Sequence, residues 1–216
     1  MARASRTTHR TDIGHRPSDT LYAVVPWILF GYAMGSVPFA FLLARRAGID
    51  VRVAGSRNVG AANVLRTTGT PLGVAVMALD IAKGAAAVFL AYLGAGTVAS
   101  MAAAGAAAIV GHVYPIWLRF HGGKGVAVAA GVFAVLAPVA AAIAAAVFLA
   151  TVWATRLVSL GSVAATVTLP SAAWLAGSPR AVLIAAFGGS ALILFRHRAN
   201  LRRIVRGTER RMGEGR

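Results

Sequence analysis

Phe120-His121-Gly122-Gly123-Lys124-Gly125, near the middle of the chain, sets one lysine among three glycines, with a long apolar segment on each side. A lysine bordered by membrane-length hydrophobic runs is costly to hold against lipid, so it is expected to face water or a ligand. Glycine lets the backbone approach a ligand closely and aim amides at it. The apolar run from Val126 can start a helix whose N-terminus favours negative charge. Lys124 then supplies a full positive charge, and the stretch reads as an anion cradle. A plain cytoplasmic turn whose lysine only obeys the positive-inside rule explains the hexapeptide equally well. A Walker A loop does not: Gly125 stands where Ser or Thr should follow the lysine, and Leu118 where the first glycine belongs.

Other reactive or anion-binding groups fall in three further clusters. Ser56, Asn58, Gly60, Asn63 and Arg66 lie in one polar stretch, Ser159 in a Ser-Leu-Gly-Ser segment, and His197 and Asn200 at a spacing that puts both on one side of a helical turn. Cations, two histidines (His121 and His197), hydroxyls and amides with almost no carboxylate suit a phosphate-bearing ligand. Taken singly, each has a plainer explanation: Asn63 or Asn200 as a helix cap, Ser159 as a turn former, either histidine as an interfacial residue. Acids are few, with Asp50 on the first loop, Asp80 three residues before Lys83 as its partner, and Glu209 in the tail.

The elements that must position these groups follow from composition. A 216-residue chain that is 58% hydrophobic and 13% charged, with a mean hydropathy of +0.71, cannot hide its apolar surface in a soluble core. The fold class is therefore all-α, a polytopic membrane protein of about seven transmembrane helices, several of them short or kinked. Cysteine is absent, which excludes disulfides and thiolate chemistry. The net charge of +16, from 22 basic and 6 acidic residues, suits anionic lipids or anionic substrates. Nucleic acid is not expected, because the basic residues are dispersed among apolar segments. Nor is a metal or other cofactor, since no acidic or thiolate cluster offers a site.

Residues 1–20 read as a flexible polar extension, 21–210 as a single transmembrane domain and 211–216 as a basic tail. The expected spans are 21–43, with Gly31, Gly35 and Ser36 for close helix approach and a kink at Pro38; 71–93, carrying Asp80 and Lys83; and 97–118. Residues 126–154 form two short helices turning at Pro138, followed by 163–176 and 181–195, with 47–70 as a structured loop and 159–162 as a turn. Leu201, Ile204 and Val205 then mark a basic amphipathic helix at the membrane surface. Seven spans put the first loop, the glycine-lysine loop, the Arg156 turn and the tail on one side. That side carries most of the cations, which makes it cytoplasmic and places the N-terminus outside.

Gly55-Ser56-Arg57-Asn58-Val59-Gly60-Ala61-Ala62-Asn63-Val64-Leu65-Arg66, Asp80-Ile81-Ala82-Lys83-Gly84, Gly111-His112-Val113-Tyr114-Pro115, the glycine-lysine hexapeptide, Ser159-Leu160 and Arg196-His197-Arg198-Ala199-Asn200 closely resemble, in order, the motifs of the bacterial membrane glycerol-3-phosphate acyltransferases that use acyl phosphate, the PlsY family. The resemblance covers residues 21–210. It implies a multi-pass inner-membrane enzyme with a cytoplasmic active site. That enzyme would act as a monomer, transferring an acyl group from acyl phosphate to the 1-hydroxyl of glycerol 3-phosphate in phospholipid synthesis. By the same resemblance Ser56, Arg66, Lys124, His197 and Asn200 are assigned to catalysis, and Asn58, Gly60, Asn63, Gly122, Gly123, Gly125 and Ser159 to substrate binding. Arg57 stands where the family usually has Gly, and Ala62 where it usually has Thr.

The residues also constrain the chemistry without the resemblance. Trp117, Val126 and Arg202 follow His112, His121 and His197 at the fifth position, which excludes a His-x4-Asp acyltransferase pattern. A covalent route would need Ser56 or Ser159 as nucleophile, and no Ser-His-Asp arrangement is evident, so direct transfer is the simpler expectation. The competing function is a small transporter of a phosphorylated metabolite. Clustering of the cations at one face rather than the midplane argues against it.

Overall fold

The computed structural model describes residues 17–213, with side chains from Ala23 onward, and these residues form helices and no strands. Residues 1–16 of the expected extension and 214–216 of the expected tail lie outside the described residues. Helix α1 (Pro17–Ser36) begins inside the extension, with Pro17 at the first helical position, where a missing amide costs nothing. The helix breaks at Val37-Pro38 and resumes as α2 (Phe39–Arg46). Next come α3 (Ala61–Thr68), α4 (Thr70–Ala95), α5 (Val98–Val113) and a single 3-10 turn (Ile116–Leu118). The chain closes with α6 (Val126–Leu136), α7 (Pro138–Thr155), α8 (Val158–Leu175), α9 (Arg180–Arg196) and α10 (Arg198–Val205).

Every expected span appears as helix, but they are not equal. Five segments, Ala23–Arg46, α4, Val98–Leu118, α7 and α8, are long and apolar enough to cross a membrane alone, and a sixth arises if α9 and α10, bent by 57°, count together. Helix α6 has only 11 residues, a rise of about 16 Å or roughly half the hydrocarbon thickness.

One expected boundary moves. Residues 159–162 are the first turn of α8 and not a loop, because Arg156, in the left-handed region at φ 57°, ends α7 and Leu157 is extended. Gly161 then packs beside Val152 and Phe148 of α7, so the small residues that look like turn punctuation serve a helix–helix contact.

Helix α5 is the axis of the bundle, touching α1, α4, α6 and α9. Gly31 and Gly35 of α1 lie on the backbone at Ala104 and Ala108, where any Cβ would strike a carbonyl. This is the small-residue contact that lets membrane helices gain dispersion energy by backbone approach. Ile109, Val128, Val132, Phe133 and Ile193 fill the centre. A separate cluster of Val51, Val64, Val76 and Leu118 fastens the polar 47–60 segment and α3 to α4. Each such side chain contributes roughly 1.5–3 kcal/mol of burial, so the expected structured loop has a core of its own.

Candidate active site

After α5 the chain turns sharply through Arg119 and Phe120, both left-handed at φ 50° and 62°, and doubles back. The Gly122 amide then donates to Val113 O and the Gly123 amide to His112 O, both at 3.1 Å. These two amides therefore face the protein, which corrects the expected cradle. Their residues are glycines because the loop lies directly on α5. A Cβ at Gly122 would strike His112 O, and one at Gly123 would meet the His112 ring and come within 2.7 Å of Val59 O. Gly125, at φ 92°, is the left-handed N-cap of α6, a conformation that glycine takes at little cost.

Lys124 Nζ donates to Asn200 Oδ1 at 2.6 Å, and Asn200 Nδ2 donates to Glu209 Oε1 at 2.7 Å. Ser159 Oγ donates to the same carboxylate oxygen at 2.9 Å, and Arg203 Nε to Oε2 at 2.7 Å. Glu209, read from sequence only as a tail acid, is thus the hub that gathers α8, α10 and, through Asn200, the lysine loop. The Met212 amide, donating to Arg156 O at 2.8 Å, ties the following residues to the α7–α8 turn. One sequence signal pointed to Glu209: it is the one carboxylate between Arg196 and Arg211, among seven arginines from 196 to 211.

Half-buried Arg66 lies within electrostatic reach of Glu209 and Arg203. Burial pushes the Lys124 ammonium down to about 8, with Arg203, Arg66 and Arg196 acting in the same sense and Glu209 opposing. Burial alone would raise the Glu209 carboxyl, but hydrogen bonds from Asn200, Arg203 and Ser159 outweigh it and hold the group below the ordinary glutamate value. The site therefore keeps an ionised carboxylate among several cations, and an arriving anion finds surplus positive charge. His197 is buried, and its Nδ1 lies 2.8 Å from Ile193 O. A carbonyl can only accept, so Nδ1 carries the proton and Nε2 keeps its lone pair.

The first loop is placed differently. Ser56 is exposed and its amide donates to Asn63 Oδ1 at 2.8 Å, while Asn63 Nδ2 donates to Val51 O and Ala54 O, both at 3.1 Å. Asn63 is buried and its amide pins the loop backbone. Gly60 caps α3, with half-buried Asn58 beside it. The two loops meet where Val59 O approaches Gly123. His121 is exposed and its Nδ1 lies at Arg119 O. Arg57 holds φ 59°, the left-handed conformation that the glycine expected there would adopt freely. Apart from this cluster, Asp80 and Lys83 pair at 2.8 Å as their spacing implied, with His112 beside them.

Among known proteins, the family model for glycerol-3-phosphate acyltransferase matches residues 25–207. The glycerol-3-phosphate acyltransferase of Sinorhizobium fredii is 44% identical over 195 residues, covering 90% of this chain and 95% of its own. That of Myxococcus xanthus is 47% identical, covering 85% and 97% respectively. Two crystal structures of PlsY (YgiH), an integral membrane glycerol 3-phosphate acyltransferase, superpose closely. The glycerol 3-phosphate form gives a TM-score of 0.84 at 38% identity, covering 88% of this chain and 96% of that one. The lysophosphatidic acid form gives 0.82 at 37%, with the same coverage. With motifs, whole-length sequence similarity and helical architecture in agreement, the chain belongs to the glycerol-3-phosphate acyltransferase family.

Proposed function

We propose that the protein transfers an acyl group from acyl phosphate to the 1-hydroxyl of glycerol 3-phosphate, giving lysophosphatidic acid and inorganic phosphate, as a monomer at the cytoplasmic face of the bacterial inner membrane. This is the first acylation of phospholipid synthesis. The observation that carries the reading is the Lys124–Asn200–Glu209 chain with Arg66 and Arg203 around it, a cationic site at the end of an apolar bundle. Such a site suits two substrates that both bear phosphate, one of them lipidic.

The glycerol oxygen attacks the acyl carbonyl carbon, forming the ester C–O bond. The bond from that carbon to the phosphate oxygen breaks, and the electron pair leaves with phosphate. The hydroxyl proton passes to His197 Nε2, the ring atom with a free lone pair, and then to the departing phosphate. Lys124 and Arg66 stabilise charge on the phosphate as it leaves. Ser159 donates its hydroxyl to Glu209 rather than to a histidine, and His197 Nδ1 faces a backbone carbonyl rather than a carboxylate. That geometry favours direct transfer over a serine nucleophile. The crowding of cations on one set of loops supports the orientation.

Purified protein given acyl phosphate and labelled glycerol 3-phosphate is expected to form labelled lysophosphatidic acid, in the presence of EDTA as well as without it. Acyl phosphate alone is expected to leave no acyl label on the denatured protein and to release no burst of phosphate. A stoichiometric label lost in Ser159→Ala or Ser56→Ala would overturn direct transfer, and absence of product would overturn the donor assignment.

A further inference from the structure

Asp80, Lys83 and His112 are each more than nine-tenths buried, and none bonds to the Lys124 chain. Burying ions costs several kcal/mol each before pairing recovers it, and apolar residues of similar size often serve stability equally well. The cluster therefore calls for a role other than holding helices together. Its hydrogen bonds indicate one. Lys83 Nζ lies 2.8 Å from Asp80 Oδ1, 2.8 Å from Val37 O and 3.0 Å from His112 Nδ1. Val37 is the residue at the α1–α2 break, where its carbonyl accepts from the Phe39 amide at 3.1 Å as well as from Lys83. An ammonium has only N–H donors and no lone pair, so at the 3.0 Å contact Nδ1 must accept. The His112 proton is thereby fixed on Nε2, the ring atom that occupies the place of the missing Gly123 side chain. The same histidine accepts the Gly123 amide at its carbonyl. It thus grips the residue next to Lys124 by backbone and ring together, with Val59 O of the first loop closing the other side.

Resting on the assignment of Lys124 to the reacting phosphate, we propose that Asp80, Lys83 and His112 are positioning residues, a buried relay that fixes the His112 ring as the seat of Gly123 and so aims Lys124. A cavity of about 10 Å³ bounded by Ser36, Asp80, Lys83, His112 and Gly123 adjoins the seat. Ser36 Oγ is buried there with no protein partner among the described residues, and the space fits one water. The relay thus links the α1–α2 break, α4 and α5 to a loop on the rim.

The test uses full-length protein carrying His121→Cys with a nitroxide label, since the chain has no native cysteine. His112→Leu keeps an apolar ring-sized filler but cannot accept from Lys83, whereas His112→Gln restores an acceptor and a donor. The Leu variant is expected to lose at least about tenfold in kcat with a smaller change in the KM for glycerol 3-phosphate, since loss of alignment by an ångström can cost about a hundredfold. Its label should also sharpen to a more mobile spectrum, and the Gln variant should recover most of both properties. Asp80→Leu with Lys83→Met, which leaves no orphaned charge, should repeat the Leu phenotype while remaining folded by gel filtration and thermal melting. The proposal is overturned if label mobility and kcat stay within twofold of wild type in both apolar variants, or if Gln is as impaired as Leu. The label spectrum judges it even if unsubstituted protein forms no lysophosphatidic acid, an outcome that would sink the acyl-transfer reading instead.

Discussion

Two lysines in this bundle sit near carboxylates, and they are treated in opposite ways. Lys83 touches Asp80 directly, on the same helix, and also meets a backbone carbonyl and an imidazole nitrogen, with 3% of its side chain exposed. Lys124 is kept one residue away from its carboxylate, with the neutral amide of Asn200 between it and Glu209. A direct ion pair would neutralise Lys124 and leave an incoming phosphate nothing to displace but a strong bond. An amide linker orients the ammonium while leaving its charge on offer. The surplus of Arg66 and Arg203 over the single Glu209 has the same effect. The lesson is that position in the charge network, more than burial, separates the saturated lysine from the available one.

The largest effect expected from breaking this contrast is Lys83→Ala. It strands Asp80 in the bundle, at a cost of about 3–5 kcal/mol of stability. Thermal melting in detergent should show a steep loss of folded protein, and a melting point within a few degrees of wild type would mean that the pair is not the closed unit described. Lys124→Ala should do the reverse, losing about 3 kcal/mol of transition-state stabilisation, roughly a hundredfold in turnover, with little change in melting. Arg66→Ala should follow it. If either alanine variant turns over normally, that cation serves only topology.

Glu209→Gln tests the hub. It keeps the shape but removes the charge that organises Ser159, Asn200 and Arg203, with an expected loss of about 2 kcal/mol of stability and a fall in activity. Circular dichroism melts with parallel assays would show whether both drop together. A pH series sharpens the contrast further. With the Lys124 ammonium titrating at about 8 in the folded protein against 10.5 ordinarily, activity should fall through pH 8, by about tenfold per unit well above it. Between those two values the unfolded chain holds the proton more tightly. The Lys124 contribution to stability should therefore rise with pH over the window in which activity is lost. Lys124→Arg should flatten both slopes.

Arg57→Gly, outside both clusters, carries the smallest expected effect. Relief of a left-handed arginine should gain about 1 kcal/mol, raising the melting point by about 2–4 °C. A lowered melting point would indicate that the arginine side chain contributes more than its backbone costs.

The contrast also explains what could be read in advance. Asp80 and Lys83 were legible because both lie on one helix, three residues apart, so helical geometry alone pairs them. The apolar spans and the break at Pro138 were legible because lipid demands length and proline interrupts helices. Lys124 and Asn200 lie 76 residues apart, and sequence could place them on one face but not in contact. The role of Glu209 was hidden because it joins α10 to Ser159 of α8, 50 residues away. Helix α3 was missed because its eight residues, Ala61–Thr68, follow Gly60 as an N-cap with no side-chain bond, so no local signal announces it. The glycine loop misled for a physical reason: absence of Cβ serves close packing as readily as ligand approach, and here Gly122 and Gly123 do the former.

That Glu209 is the hub has a bearing on how the protein matures. A chain is made from its N-terminus, at about 5–20 residues per second, so Arg66, Lys124, Ser159 and Arg203 have all been synthesised before the one acid that gathers them. Until Glu209 is added, the cations Arg66, Lys124 and Arg203 lack the counter-ion that the folded site gives them. In the folded chain the Met212 amide rests on Arg156 O at the α7–α8 turn, and Glu209 bonds both Ser159 and Arg203. The order of synthesis thus puts the gathering carboxylate last among these groups of the candidate site.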